Sequence, residues 1–206
     1  MTTALISINT AMFAYEAWLS SQGDLEAFIL QHALVASRLL HALELDQLLT
    51  VMSSMFLHGS VLHVLGNVWF LWVFGNNVED RLGPVKFTAL YVLSGLVAAA
   101  AQLLADPGSH VPMLGASGAI SGVLGAYLVL FPGGWIVALI PWFVPIAPIP
   151  AVVFLVLWFL LQAANGVGSL MAGGGAGGVA WWAHVGGFIA GIVLTLQIKK
   201  MFKIRR

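Results

Sequence analysis

Charged residues are scarce in this chain. Only 8% of its 206 residues are Asp, Glu, Lys or Arg, whereas soluble domains contain roughly 25%. Hydrophobic residues make up 60%. This composition excludes an ordinary soluble domain and predicts an all-α integral membrane protein, a single bundle over residues 1–206 embedded in a lipid bilayer. Acidic and basic residues are equal in number, and the absence of net charge argues against a nucleic-acid partner.

Two further absences restrict the chemistry. The chain has no cysteine, which excludes disulfides and thiolate metal sites. No acidic residue lies within the last five of the six predicted spans, so a Ser-His-Asp triad is not expected. A metal site needs three or more convergent ligands. His58, His63 and His184 are the only set that the spans offer, and no acid completes it, so we expect neither metal nor cofactor.

Six apolar segments approach the roughly 20 residues that a membrane-spanning helix needs. The predicted spans are Thr3–Ser20, Met55–Val78, Phe87–Ala105, Ser117–Phe131, Ala151–Ala164 and Trp181–Ile198. The fourth is short, at about 22 Å of helix against roughly 30 Å of hydrocarbon.

The segments between the spans have distinct compositions. Residues 21–50 mix leucines with acidic and basic residues, which is typical of an amphipathic interfacial loop. VEDRLGPVKF predicts a polar turn, and a proline-rich apolar loop precedes the fifth span. Gly166–Gly178 is rich in glycine and predicts a mobile loop. Glu16, in or near the first span, is expected at the surface or at a helix end.

The basic residues predict the orientation. Five of the eight Lys and Arg lie in the tail 199–206, and Arg81 and Lys86 lie between the second and third spans. With six spans, this turn and both termini share one side, which we expect to be the cytoplasm. Loop 21–50 then faces outward.

Residue counting along three spans puts polar side chains in one layer. Ser117 lies 14 residues from Phe131, the inner end of the fourth span, and His184 lies 14 residues from Ile198, the inner end of the sixth. Both are therefore about 21 Å above the inner boundary of the membrane. His63 comes out at a similar height, with Asn67 one turn deeper on the same helical face. Because the fourth span is short, Met113–Ala116 should line a wet indentation open to the outside.

This layer has the parts of an acyl-transfer site. A serine needs an adjacent base to become a nucleophile, and a neutral His184 can accept the Ser117 proton. Oxyanion donors are available from backbone N–H groups at the start of a helix and from His63 and Asn67. Small residues on the fourth and sixth spans allow their backbones to approach closely. The residues therefore indicate a Ser117–His184 dyad.

Other interpretations of the same residues are open. Ser117 alone resembles a helix cap or a packing serine, and His63 with Asn67 can simply join helices by a hydrogen bond. Ser121 is expected to pack and His58 to have a structural role. A non-catalytic binder of transmembrane helices, or a small transporter using the same wet cavity, is the competing class of function. No internal repeat or mid-membrane charge pair favours the transporter.

Three stretches that carry these residues resemble the rhomboid family of intramembrane serine proteases, of the bacterial six-helix type. They are FLHGSVLHVLGNVWFLWVFGNNVEDRLG, GASGAISGVLGAY and AWWAHVGGFIAG, which lie on three helices in the order found in the family. The hydropathy pattern matches across nearly the whole chain. The resemblance implies a bundle of six transmembrane helices whose short fourth helix carries the serine.

The resemblance also implies residue roles. Ser117 corresponds to the nucleophile and His184 to the general base, while His63, Asn67 and the backbone at Gly118 support the oxyanion. Such enzymes cleave a transmembrane helix of another protein near its outer end, without a cofactor. Both dyad positions are filled, whereas a non-catalytic relative would be expected to lack one. The resemblance further implies a cell inner membrane as the location, and we expect the chain to function as a monomer.

Overall fold

The computed structural model describes residues 1–41, 44–140, 144–173 and 178–202, and most of these are helical. The α-helices in this part of the chain are α1 (Thr2–Gln22), α2 (Leu25–His32), α3 (Ala36–His41), α4 (Leu45–Ser53), α5 (Val61–Phe70), α6 (Asn76–Leu82), α7 (Pro84–Ala105), α8 (Ser117–Leu130), α9 (Ala151–Met171) and α10 (Trp181–Phe202). A π-helical segment, Leu71–Gly75, joins α5 to α6. The end of the basic tail and the centre of the glycine-rich loop lie outside the described residues.

Four helices are long and apolar enough to cross a membrane. They are the continuous helix Val61–Leu82, α7, α9 and α10, and α8 is a shorter apolar helix. The chain is therefore a multi-pass membrane protein. Helix α1 has 21 residues and coincides with the first predicted span, but Thr, Ser, Asn and Glu side chains make it more polar than these four.

The helix ends differ from the predicted span ends where glycine and proline intervene. The second span was expected from Met55 to Val78, but its helix runs from Val61 to Leu82. The Ser60 hydroxyl accepts a hydrogen bond from the His63 backbone N–H (3.2 Å) and caps its start. At the other end, Gly83 has φ +81° and Pro84 occupies the first turn of α7. A left-handed glycine followed by proline is sufficient to reverse the chain, so the polar turn is shorter than predicted.

The prediction of a loop over Gly166–Gly178 is wrong for its first six residues, because α9 continues to Met171. Gly166 lies on the buried face of α9 against Trp182. A Cβ atom added at Gly166 would lie 3.1 Å from Trp182 Cε2. This glycine thus permits a close helix contact, and its presence in the sequence did not indicate a loop.

The proline-rich loop contains a β-hairpin. Strand β1 (Trp135–Ile140) pairs antiparallel with β2 (Val144–Pro150), with Trp135 opposite Pro150. Prolines are tolerated in β2 because each strand of a two-stranded sheet has a free edge. The Trp135 and Val137 side chains are exposed. The hairpin does not alter the predominantly helical class.

Helix α8 is the centre of the bundle, since ten of its fourteen residues are buried. Helix α10 lies directly against it through glycines. A Cβ atom at Gly187 would overlap the Gly118 carbonyl oxygen, and one at Gly191 would overlap that of Gly122. The two backbones are therefore in contact, as the small residues on the two spans predict.

The predicted interfacial loop contacts the segment that leads to α8 through residues of α3 and the connection before it. Leu34 and Met113 exchange both backbone hydrogen bonds, at 3.2 and 2.7 Å, and the Ser37 hydroxyl lies 2.9 Å from His110 Nδ1. Leu45 remains 70% exposed. That the exposed leucines of this loop enter the lipid interface stays a prediction.

Candidate active site

Ser117 is the first residue of α8, and a constrained glycine positions it. Gly115 has φ +120°, and its backbone N–H donates to the Ser54 carbonyl oxygen at 2.8 Å. A Cβ atom at Gly115 would lie only 2.6 Å from Nε2 of His63. No other residue type fits both this backbone conformation and this space. The GASG stretch therefore brings Ser117 next to the His63 ring.

His184 lies in the first turn of α10 and reaches Ser117 across the glycine contact. Its Nε2 atom is 2.8 Å from Ser117 Oγ, the proximity that the height count predicts. Two aromatic rings enclose the imidazole: the centroid of Trp158 is 6.0 Å away and that of Trp181 is 6.2 Å away, the latter edge-on. The serine–histidine pair is thus held inside the helix bundle.

Sequence analysis missed Gln162, the third member of this hydrogen-bonded chain. Its Oε1 atom lies 2.8 Å from His184 Nδ1, and its side chain is 5% exposed. Gln162 falls inside the fifth predicted span, where it is the only residue with a hydrogen-bonding side chain apart from Trp158. An isolated amide in an apolar segment was the signal that would have identified it.

A cavity of about 220 Å³ contains the predicted site residues. His63, Asn67, Ser117 and His184 line it together with Gln162 and apolar side chains of α5 and α9. Asn67 is only 6% exposed, and among the described residues its Nδ2 atom has no hydrogen-bond partner. An unpaired buried donor is costly, so this N–H group is free to bind an oxygen placed in the cavity.

His63 also lines a second cavity of about 360 Å³, at the end of the bundle where α8 begins. Met113 and Leu114 form part of its wall, beside the polar residues Gln102 and Ser109. The cavity lies at the first two residues of Met113–Ala116, where an indentation was predicted; that it is wet and open to the outside stays a prediction. The ring of His63 lies between this more polar cavity and the cavity that contains Ser117 and His184.

Gly118 and Ser121 have packing contacts. A Cβ atom at Gly118 would lie 2.7 Å from Ala98 Cβ of α7, so a side chain here would force the helices apart. The Ser121 hydroxyl donates to the Ser117 carbonyl oxygen at 2.6 Å and is buried, as expected of a packing serine. An oxyanion role for the Gly118 backbone stays a prediction.

Glu16 and His58 form a buried support beneath His63. The expectation that Glu16 lies at the surface or at a helix end is wrong, because its side chain is only 1% exposed. Its burial is compensated by a hydrogen bond: the two carboxylate oxygens accept the His58 backbone N–H at 3.0 and 3.2 Å. The His58 ring lies edge-on to the His63 ring, at a centroid distance of 5.2 Å. Burial, with the nearby His63, lowers the pKa of His58 to about 4, so its ring is neutral at pH 7.

The arrangement has the elements of nucleophilic acyl transfer. A serine hydroxyl is hydrogen-bonded to an imidazole, the imidazole is hydrogen-bonded to Gln162, and the unpaired Asn67 amide lines the same cavity. Within the part of the chain that the structure describes, no group of three His, Cys, Asp or Glu side chains is placed to hold a metal ion.

Comparisons with known proteins agree with the resemblance to the rhomboid family, while the bacterial six-helix subtype stays a prediction. The family model described as Rhomboid domain matches residues 45–200. The chain is 31% identical over 147 residues to the human presenilin-associated rhomboid-like protein, mitochondrial, a match that covers 68% of this chain and 35% of that protein. It is 29% identical over 212 residues to rhomboid protein 1, mitochondrial, of Saccharomyces cerevisiae, covering 98% of this chain and 54% of the yeast protein.

The chain thus spans about a third of the length of the mammalian relatives and about half of that of the yeast relative. The family match extends over the helices that carry Ser117, His63 and His184. On this evidence, the chain belongs to the rhomboid family.

Proposed function

We propose that this protein is an intramembrane serine endopeptidase, a hydrolase that cleaves transmembrane segments of other membrane proteins by a Ser117–His184 dyad. The observation that carries the proposal is the 2.8 Å contact between Ser117 Oγ and His184 Nε2 inside a bundle of apolar helices. Two small apolar residues would pack the helices equally well, so packing alone does not explain a serine–histidine pair inside the bundle. Rhomboid membership, which implies protease-like activity, adds to it.

In the proposed reaction, His184 accepts the Ser117 proton as the oxygen attacks the scissile carbonyl. The tetrahedral oxyanion is held by backbone N–H groups at the start of α8, at Ser117 and Gly118, and by the Asn67 amide and the His63 ring. His184 then protonates the leaving amine. Water from the outer cavity then attacks the acyl-enzyme. His184 accepts a proton from this water and transfers it to Ser117 Oγ as the acyl–oxygen bond breaks, which releases the acid product. The proposed reaction steps use only protein groups and water, without cofactor or metal.

The substrate is a transmembrane-helix protein that approaches through the lipid and is cleaved near the outer end of its helix. We place its entry between α5 and α9, because residues of both helices line the cavity around Ser117. The substrate backbone has to leave the helical conformation at the cleavage site, since each helical peptide group is shielded by its own hydrogen bonds.

For the membrane arrangement we propose six transmembrane helices: α1, the continuous helix Val61–Leu82, α7, α8, α9 and α10. Together they form one domain over residues 1–206 that acts as a monomer. The basic residues place both termini and the turn before α7 on the cytoplasmic side of a cell inner membrane. The active site then opens to the outer side, under loop 21–50. No nucleic acid takes part.

Covalent labelling with a fluorophosphonate probe tests the dyad, because this reagent reacts with an activated serine. The full chain in detergent micelles should be labelled, and both Ser117→Ala and His184→Ala should abolish labelling while the thermal unfolding midpoint remains close to that of the wild type. Both variants should also fail to cleave a reconstituted transmembrane substrate. Ser121→Ala, on the same helix, is the matched control and should be labelled normally.

Substantial proteolysis by purified Ser117→Ala protein would disprove the assignment of the nucleophile. A folded wild-type protein that is not labelled at any pH would instead favour a non-catalytic rhomboid that binds transmembrane helices.

A further inference from the structure

Gln162 is the only polar residue among the four buried residues of α9. The buried residues of α9 are Ala151, Leu155, Gln162 and Gly166, which fall within one narrow stripe at 3.6 residues per turn. The neighbouring side chain of Leu161 is 58% exposed. A polar group in this stripe has to be hydrogen-bonded to be tolerated, and its bond is to His184.

We propose that Gln162 is a positioning residue that fixes the tautomer of His184 and thereby makes Ser117 activation depend on the docking of α9. This inference rests on the proposed function. It concerns a residue that is hydrogen-bonded to the base and not to the reacting serine, and it adds a third member to the Ser117–His184 pair.

The argument starts from the donor and acceptor inventory. An amide oxygen only accepts hydrogen bonds, so the 2.8 Å contact between Gln162 Oε1 and His184 Nδ1 requires a proton on Nδ1. A neutral imidazole carries a single ring proton. The other nitrogen, Nε2, is then unprotonated, and it faces the Ser117 hydroxyl at 2.8 Å. Gln162 thus selects the form of His184 that is able to accept the serine proton.

The same bond supports the charged intermediate. When Nε2 takes the proton from Ser117 Oγ, the ring becomes an imidazolium with a donor at each nitrogen, and Nδ1–H continues to donate to Gln162. Without Gln162 the proton can move to Nε2, from which the ring donates to Ser117 and cannot act as a base. An amide supplies this orientation without placing a negative charge inside an apolar bundle, where a charge is expensive.

The location of Gln162 links tautomer selection to the opening through which the substrate enters. Trp158, one turn earlier on α9, contacts the His184 ring as well, so α9 holds the imidazole by two side chains. If α9 moves away from α10 to admit a substrate, the bond to Nδ1 is lost. His184 regains its active tautomer only when α9 returns, so cleavage is suppressed while the opening is wide.

Two substitutions of similar length separate the acceptor from the volume of the side chain. Gln162→Met removes the amide oxygen, and Gln162→Glu keeps an oxygen at the same position. Leu161→Met is the matched control on the lipid-facing side of α9. The rate of fluorophosphonate labelling should fall about tenfold to a hundredfold in Gln162→Met, the range seen for partners that orient a histidine, and remain within about threefold of wild type in Gln162→Glu.

The position of the ring proton is a second, activity-independent measurement. Nitrogen-15 NMR of the histidine-labelled full chain, with the His184 signal identified from its loss in His184→Ala, should show the proton on Nδ1 in the wild type. In Gln162→Met the signal should shift toward the Nε2-protonated form. A purely structural role of Gln162 would change the unfolding midpoint without changing this tautomer ratio.

A wild-type labelling rate in folded Gln162→Met would overturn the inference and leave the proposed protease intact. An equal loss in Gln162→Met and Gln162→Glu would also overturn it. If Gln162→Met does not fold, the NMR result for the wild type decides, since a proton on Nε2 contradicts tautomer selection. Absence of labelling in the wild type is a different failure, that of the proposed function.

Discussion

Helices α8 and α9 both contact α10, but they do so in different ways. Helix α8 meets α10 by backbone contact, because Gly187 and Gly191 leave no space for a side chain between the helices. Helix α9 meets it through side chains, namely the aromatic contacts of Trp158 and Phe159 with Phe188 and the polar contact between Gln162 and His184. The first contact sets the distance between Ser117 and His184. The second sets the chemical state of His184, and it is the contact that a moving helix can break.

The largest effect is expected from substituting a glycine in the backbone contact. Gly191→Ala should lower the free energy of unfolding by about 3 kcal/mol and slow fluorophosphonate labelling, because the new methyl group meets the Gly122 backbone and overpacks the interface. The measurement is thermal unfolding in detergent micelles, combined with the labelling rate. Gly168→Ala on α9 is the control, since a Cβ atom there has nothing within 4 Å.

Equal stability of Gly191→Ala and Gly168→Ala would remove the distinction between the two helix contacts.

Mild acid should weaken the support beneath His63 and leave the glycine contact unaffected. The pKa of His58 is lowered in the folded protein to about 4 from 6.5, so the unfolded chain binds the proton more tightly. The contribution of the neutral His58 ring to stability is fully present above pH 6.5 and is lost as the pH falls toward 4. Between pH 7 and pH 5 the titration of His58 should by itself lower the free energy of unfolding by about 2 kcal/mol, relative to a variant without this imidazole.

Thermal unfolding midpoints across this pH range provide the measurement. His58→Phe keeps a ring but cannot titrate, so the difference in pH dependence between the wild type and this variant isolates the His58 contribution. Glu16 and His63, which face His58 from α1 and α5, are present in both proteins and do not enter this difference. An unchanged pH dependence in His58→Phe would contradict the assignment to His58.

Removing the Glu16 carboxylate should destabilise the protein by about 1.5 kcal/mol relative to Glu16→Gln. In Glu16→Ala the His58 backbone N–H loses its acceptor in a buried position, and an orphaned buried donor costs about 1–3 kcal/mol. Glu16→Gln keeps an oxygen at the same place and is the reference. Comparing the two unfolding midpoints isolates the hydrogen bond, and identical midpoints would show that the bond contributes nothing.

The smallest effect is expected at Ser121. Its hydroxyl bonds only the Ser117 carbonyl oxygen, one turn earlier on α8, and such a bond contributes about 1 kcal/mol or less. Ser121→Ala should therefore shift the unfolding midpoint slightly and leave the labelling rate at its wild-type value. A loss of labelling comparable to that of Ser117→Ala would contradict the assignment of Ser117 as the nucleophile and Ser121 as a packing serine.

The sequence by itself determined the class of protein and the layer in which the polar residues lie. Scarce charge and long apolar segments require a membrane bundle, and a rise of 1.5 Å per residue brings Ser117, His184 and His63 to one height. The glycines predicted close helices because, in lipid, small residues are what permits backbone contact. These conclusions depend on composition and spacing along single helices.

The tertiary structure alone decided which side chains face one another across helices. The apolar pattern of α9 is the same whether Gln162 points to lipid or to His184, because a single amide in such a segment leaves the rotation of the helix undetermined. The burial of Glu16 depends on the backbone N–H of His58, 42 residues away, and the hairpin on pairing between segments rich in proline and β-branched residues. Spacing along one chain fixes height, but direction around each helix axis depends on packing against neighbours.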